Sequence, residues 1–393
     1  MEKVRLGDLV DFSNGYAFKS SDYIDDSNTL NCRMSNIRPD GSFDIKYNAK
    51  YLPDTFIKKY SDYILKDGDL IIAMTDMAGD PKILGIPTIV KTEGYNVLMN
   101  QRVGKLTIKT NDILPDFLKY SLSSNSVREY FKSFAGGGLQ LNIGKKEILN
   151  TSVCICDITK QKQIVEKLDR ITTIINKRKE QLTKLDELVK ARFVELFGDP
   201  VSNTKNLPKK TLAELGELGR GVSKHRPRNA PELLGGKYPL IQTGEVANSE
   251  LYITSYENTY SEIGFKQSKM WDAGTLCITI AANIAKTAIL TFDACFPDSV
   301  VGFNANEQTN NIFIHYWFSF FQAVLEAQAP ESAQKNINLK VLSELEVIVP
   351  SIEEQMKFVA FVEQTDKSKL EVQKSLEKLE LLKKALMQKY FGG

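Results

Sequence analysis

DITKQKQIVEKLDRITTIINKRKEQLTKLDELVKARFVELFG (157–198) and SIEEQMKFVAFVEQTDKSKLEVQKSLEKLELLKKALMQKYFGG (351–393) decide the fold, because they are one segment written twice. Each is a long charged stretch without Gly or Pro that ends in Phe-Gly. Each follows an Asn-marked turn, Leu141-Asn142-Ile143 or Ile337-Asn338-Leu339, and a short apolar run to Cys156 or Pro350. In the first, Ile164, Leu168, Ile171, Ile175, Arg178, Leu182, Leu185, Val189, Arg192 and Leu196 fall at alternating four- and three-residue spacing. The same frame in the second holds Phe358, Val362, Thr365, Lys369, Val372, Leu376, Leu379, Lys383, Leu386 and Tyr390. A period of about 3.5 residues marks a coiled-coil seam. At roughly 1.5 Å per residue each helix is a rod of about 58 Å. The natural partner of each seam is the other copy, packed antiparallel. The polar seam positions Arg178, Arg192, Thr365, Lys369 and Lys383 either snorkel to solvent or fix register and meet another subunit.

Working outward, the repeat extends over the whole chain. Arg5-Leu6-Gly7-Asp8-Leu9 matches Thr211-Leu212-Ala213-Glu214-Leu215, and Asp67-Gly68-Asp69-Leu70-Ile71 matches Ala273-Gly274-Thr275-Leu276-Cys277. Gln161 matches Gln355. Apolar, β-branched runs at 70–75 and 276–281 are expected as buried strands, and helices are expected at 115–132 and 312–328. Loops follow at 135–142 and 329–336. The expected fold class is α+β: two similar α+β domains separated by two long helices that form an antiparallel coiled coil, with a pseudo-two-fold internal repeat. The domains run 1–156 and 199–350, the long helices 157–198 and 351–393.

Composition narrows the class. The 393 residues are 42% hydrophobic and 25% charged, with net charge +2. Residues 1–155 carry 20 Lys/Arg against 19 Asp/Glu and 201–350 carry 13 against 15, so any nucleic-acid contact must come from local patches. No apolar run spans a membrane and the start lacks a signal-peptide core, which points to the cytoplasm. Five unpaired Cys (32, 154, 156, 277, 295) suit a reducing compartment, and Cys154 and Cys156 are expected as core or edge residues. Two His leave little room for zinc or a His-based triad; His315 is expected in the core and His225 in a basic loop.

Signatures of catalysis are missing: no G-x-x-x-x-G-K-[ST], H-E-x-x-H or G-x-S-x-G, no aromatic-ended D/N-P-P motif, and no Glu-x-Lys. Donor-rich loops remain. Arg220, Lys224, Arg226 and Arg228 crowd one Gly/Pro-bounded loop without an acid, and the matched loop of the first module holds Lys19. Arg33, Asn36 and Arg38 align with Gln242 and Thr243, and Gln101 and Arg102 form another amide-plus-Arg pair. Arg reads guanine edges, Asn and Gln read adenine, and all of them bind phosphate, so these twelve are the candidate DNA contacts. The candidate helix-pair and subunit interface is Ile164, Leu168, Ile171, Ile175, Leu182, Leu185, Val189, Phe358, Val362, Val372, Leu376, Leu379 and Leu386. A solvated surface loop is the competing reading of the basic cluster.

QKNINLKVLSELEVIVPSIEEQ (334–355), with the long helix behind it, resembles the specificity subunit of type I restriction–modification systems. The resemblance covers essentially the whole chain. The first copy departs from it, with Cys-Asp-Ile-Thr-Lys-Gln161 in place of Pro and the double Glu. The resemblance implies a non-catalytic chain whose two modules each read half of a bipartite double-stranded DNA target. The helix pair would set the unread gap, with half-sites on one face of the DNA about one helical turn (~34 Å) apart. It also implies docking of two modification (methyltransferase) subunits and, in the full complex, restriction/translocase subunits. No cofactor is expected on this chain; S-adenosylmethionine, Mg2+ and ATP are expected on the partners. The alternative keeps the architecture and drops the DNA: a non-enzymatic coiled-coil scaffold with two protein-binding domains.

Overall fold

A computed structural model describes residues 1–134, 140–225, 227–281, 284–328 and 337–392, the side chains of 323–328 excepted. The chain forms two compact units. The first joins Met1–Lys179 to Lys374–Gly393, and the second is Glu180–Gln373. The division cuts through both long helices, Ile158–Phe197 and Ile352–Phe391.

In the first unit a four-stranded antiparallel sheet runs Val10–Asn14, Val103–Ile108, Leu70–Ala73, Pro87–Ile89. Beside it lies a three-stranded sheet of Thr29–Cys32, Asn96–Met99 and Ile64–Leu65, whose first two strands are parallel. The chain start, Glu2–Arg5, pairs with Ser152–Ile155, the strand that leads into the long helix. Leu70–Ala73 is buried throughout, as its apolar run predicts, and is entered through a turn at Gly68 with φ +87°. Such a φ suits glycine because it lacks the Cβ that crowds the carbonyl.

The second unit repeats the plan. Gly216–Arg220, Val300–Ala305, Leu276–Thr279, Thr287–Leu290 and Tyr252–Ile253 form one sheet. Asn258–Tyr260, Leu234–Leu240, Ala294–Cys295 and Met270–Trp271 form the other. Lys209–Thr211 pairs with Glu346–Ile348, again the strand before the long helix. Gly274, matched to Gly68, takes φ +92° and enters the fully buried Leu276–Thr279.

The helix expected at 115–132 is two helices, Pro115–Leu122 and Asn125–Phe134. The break falls at Ser123-Ser124, where the Ser123 hydroxyl donates back to Lys119 O at 2.8 Å and competes with helix continuation. Its counterpart is one helix, Asn311–Gln328. A short helix also separates each Asn-marked turn from the last strand, Lys145–Leu149 and Leu339–Ser343, the latter capped by Asn338 Oδ1 on the Val341 amide. The loop expected at 135–142 is described only from Gln140, where Gln140–Asn142 pairs with Thr75–Met77. The loop at 329–336 and the first residues of the QKNIN motif lie outside the described residues.

Both long helices are 40 residues long. Asp157 caps the first through the Lys160 amide, 2.8 Å. Ser351 and Glu354 cap the second reciprocally, Ser351 Oγ donating to Glu354 Oε2 at 2.8 Å. Despite different residues the two starts, 158 and 352, fall in the same frame. The first ends at Gly198, φ +75°, the left-handed residue that closes many helices.

Their pairing is antiparallel. In the first unit Ile164 and Leu168 share a core with Leu386, Tyr390 and Phe391, and Lys179 meets Glu380 at 3.1 Å. In the second, Val189, Phe193 and Phe197 pack with Phe358, Val359 and Val362. Each core is thus plugged by the beginning of one long helix and the aromatic end of the other. Phe391 lies 5.2 Å from Phe117, and Phe197 lies 5.2 Å from Phe313. Of the thirteen seam residues, Ile164, Leu168, Ile175, Val189, Phe358, Val362 and Val372 are buried. Ile171, Leu182, Leu185, Leu376, Leu379 and Leu386 are half-buried.

Candidate nucleic-acid interface

Parallel pairing decides where the polar loops go. Strands that run the same way release their following loops at the same edge. In the first unit Cys32 lies opposite Met99 in a parallel pair, so Arg33 and Asn100-Gln101-Arg102 leave side by side. The loop after Val10–Asn14 joins them. Gly15 crosses so closely that a Cβ there would lie 2.2 Å from Asn100 O and 2.3 Å from Met99 O. Tyr16 then donates its amide to Met99 O at 2.8 Å, and Gln101 donates its amide to Tyr16 O at 3.0 Å. Three loops distant in sequence converge, bringing Arg33, Gln101 and Arg102 to one edge beside the 16–19 segment.

The second unit converges the same way. Leu240 pairs in parallel with Cys295, so Gln242 and Thr243 leave beside residues 297–299. Gly221 makes the crossing, with a Cβ 2.3 Å from Pro297 O and 2.4 Å from Phe296 O. Asp298 holds the place of Gln101. Arg220 Nε donates to its carbonyl at 2.5 Å, and Arg228 forms an ion pair with its carboxylate. The loop is pinned further by Gln267 Oε1, which accepts from the Lys224 and His225 amides at 2.6 and 3.0 Å. The Lys224 side chain is exposed, and His225 Nε2 lies 3.6 Å from Glu232. Arg226 lies outside the described residues.

The other candidates sort by geometry. Lys19 is exposed; its amide donates to Asp22 Oδ2 at 2.7 Å. Gln101 and Gln242 are exposed, and Arg102 and Thr243 are half-buried. Arg33 donates to Asn48 O at 2.8 Å, and Arg38 stacks on Tyr47 with its guanidinium carbon 3.5 Å from the ring centre. Asn36 belongs to the interior, not to the edge. It is 1% exposed. Its amide donates to the carbonyls of Asp44, Ile45 and Tyr47 at 2.9, 3.2 and 3.1 Å, and its oxygen accepts from the Arg33 amide at 2.8 Å. Its expected place as a base reader is corrected to that of a loop clamp, the role Glu245 plays for the Gln242 amide at 3.1 Å.

Sequence reasoning passed over an aromatic platform in the first unit. The Tyr16 ring lies 4.5 Å from Tyr60 and 5.5 Å from Tyr63, with Lys59 Nζ 5.0 Å from the Tyr60 ring centre. The Tyr60 hydrogen bond raises the Tyr16 phenol above its ordinary value, so it stays protonated. Tyr16 is exposed while Tyr60 and Tyr63 are half-buried behind it, and an exposed aromatic face beside a cation suits base stacking. The run Lys58-Lys59-Tyr60 was the available signal.

His315, expected in the core, is half-buried, its Nδ1 2.9 Å from Thr287 Oγ1, and desolvation lowers its pKa to about 4. Burial pushes the Cys32 and Cys277 thiols far up, so both stay protonated. Among the described residues no group of three or more His, Cys, Asp or Glu is placed to hold a metal ion, and no helix is long and apolar enough to cross a membrane.

Two units of one plan, each with a convergent loop edge of its own chemistry, define a protein built of duplicated recognition modules. Comparison with known proteins gives the family: residues 1–184 and 205–381 match the type I restriction modification DNA specificity domain, and the chain belongs to that family. It is 29% identical over 213 residues to the type I restriction enzyme MjaVIII specificity subunit of Methanocaldococcus jannaschii, covering 52% of this chain and 47% of the relative. Across its whole length it is 22% identical to the EcoBI specificity subunit of Escherichia coli, covering 85% of that protein. The fold is that of the S subunit of a type I restriction–modification system from M. genitalium (TM-score 0.59, 14% identity, 99% and 96% of the two chains). It is likewise similar to a chain solved in work on complex assembly and conformational transition of the type I system (TM-score 0.57, 16% identity, 99% and 97%).

Proposed function

We propose that this chain is the DNA-recognition subunit of a type I restriction–modification complex, and that it reads a bipartite double-stranded target. The observation that carries this reading is the pair of convergent loop edges. The frame that builds them is the same in both units, down to Gly15 and Gly221, while the side chains differ. A duplicated frame with unlike edges is what two different half-sites require. Arg33, Gln101, Arg102 and the Tyr16 platform would face one half-site. Arg220, Lys224, Arg228, Gln242 and Thr243 would face the other, with Arg and Lys supplying phosphate contacts and guanine readout.

In this reading the chain is cytoplasmic and non-catalytic. S-adenosylmethionine, Mg2+ and ATP are held by partner subunits, two methyltransferases and the restriction/translocase subunits. The outer faces of the long helices suit docking of the methyltransferases. They expose apolar Ile174, Leu381 and Leu382 in the first unit and Leu188 and Leu370 in the second. Near-neutral net charge, +2, favours the competing scaffold reading. A gel shift with the reconstituted modification complex separates the two. Retarded duplex carrying the methylated target, competed poorly by scrambled DNA, supports recognition. Equal binding of both, or none, supports the scaffold.

A further inference from the structure

Lys369 stands in the helix seam at a position where the first copy has Ile175. It is 7% exposed, yet it carries a charge. Its ammonium is ion-paired with Asp186 of the first long helix and lies 3.5 Å from Glu250. Burial alone would lower its pKa, but Asp186, Glu250 and Asp366 together hold it above the ordinary lysine value. Burying a lysine is costly unless it is paired, so this cation binds its partners in place. Glu250 is not a helix-pair residue. It follows the short helix Thr243–Asn248, which carries Thr243 with Gln242 just ahead of it and packs on Leu276–Thr279 and Thr287–Leu290. One buried cation therefore links both long helices to the segment that presents candidate base-reading side chains.

We propose that Lys369 is a positioning residue for base recognition: by tying Glu250 to Asp186 it fixes the Gln242–Asn248 segment at the angle at which it reads the second half-site. This rests on the reading that this segment faces DNA.

The test uses the full chain in complex with its methyltransferase partners, on duplexes carrying the genomic target with every single mismatch in either half-site. Lys369→Met is expected to raise methylation of mismatches in the second half-site about tenfold relative to the cognate duplex, the range of an ordinary mismatch penalty, with the first half-site unchanged. Lys369→Arg restores discrimination. Glu250→Gln removes the tie at an exposed residue and should reproduce the Lys369→Met pattern even where that variant folds poorly. The proposal is overturned if Glu250→Gln keeps wild-type discrimination across the second half-site, or if it loosens both halves alike. A wild-type complex with no two-part target overturns the recognition reading itself, and this inference with it.

Discussion

Gln161 and Gln355 do the same work at the two starts of the long helices. The side-chain amide of Gln161 donates to Cys156 O at 2.8 Å, just before its helix, and to Asp112 O at 2.7 Å, ahead of the helix Pro115–Leu122. That of Gln355 donates to Pro350 O at 3.0 Å and to Gln308 O at 3.0 Å, ahead of Asn311–Gln328. The oxygen of Gln161 accepts from the Leu114 amide, and that of Gln355 from the Thr309 hydroxyl, each at 2.9 Å. Both side chains are fully buried. Each pins a long helix to the module it follows.

Replacing either glutamine by leucine takes the partner from two carbonyls and a donor. Gln161→Leu and Gln355→Leu should each lower unfolding free energy by roughly 2–4 kcal/mol. Urea denaturation followed by circular dichroism measures it. A change under about 0.5 kcal/mol in either variant would contradict the pinning role.

Gly15→Ala and Gly221→Ala would drive a methyl group into two carbonyl oxygens within 2.4 Å. Each variant should displace one loop edge and lose discrimination at one half-site while the other is retained. Methylation of half-site mismatch duplexes reads this out. Normal discrimination by both variants would show that the crossings do not shape the reading edges.

Arg228 is exposed on one side and ion-paired to Asp298 on the other. Arg228→Gln should weaken DNA binding and reduce the slope of log K against log salt by about 1 if the guanidinium meets a phosphate. An unchanged slope and affinity in fluorescence anisotropy would remove Arg228 from the interface.

His315 is neutral in the folded chain, with a pKa near 4 against an ordinary histidine value of 6.5. Between those values the unfolded chain binds a proton that the folded chain excludes, so stability falls as pH drops from 6.5 towards 4. His315→Gln, which keeps an acceptor for Thr287, should flatten that part of the profile. A wild-type melting curve of the same slope in the variant would place the acid sensitivity elsewhere.

The long helices were legible because their seam has a regular period and no breaker. Leu70–Ala73 and Leu276–Thr279 were legible because each is an apolar run behind a Gly turn. What escaped depends on distance in sequence. Nothing local to 16, 33 or 100 says that these loops meet; the parallel pairing of Cys32 with Met99 brings them together. Asn36 has the chemistry of a base reader, and only its burial among three carbonyls shows otherwise. Lys369 left two readings open, and its ion pair with Asp186 across the seam favours fixed register over a snorkelled side chain. The split of the 115–132 helix falls at Ser123, whose back-bonding to Lys119 a helical period does not register.

The central claim is that each unit reads its own half of the target. Exchanging residues 1–155 for the corresponding module of another family member, then mapping methylated adenines in host DNA, tests it most directly. The account predicts that one half of the site changes and the other stays as it was. Change in both halves, or in neither, would contradict it.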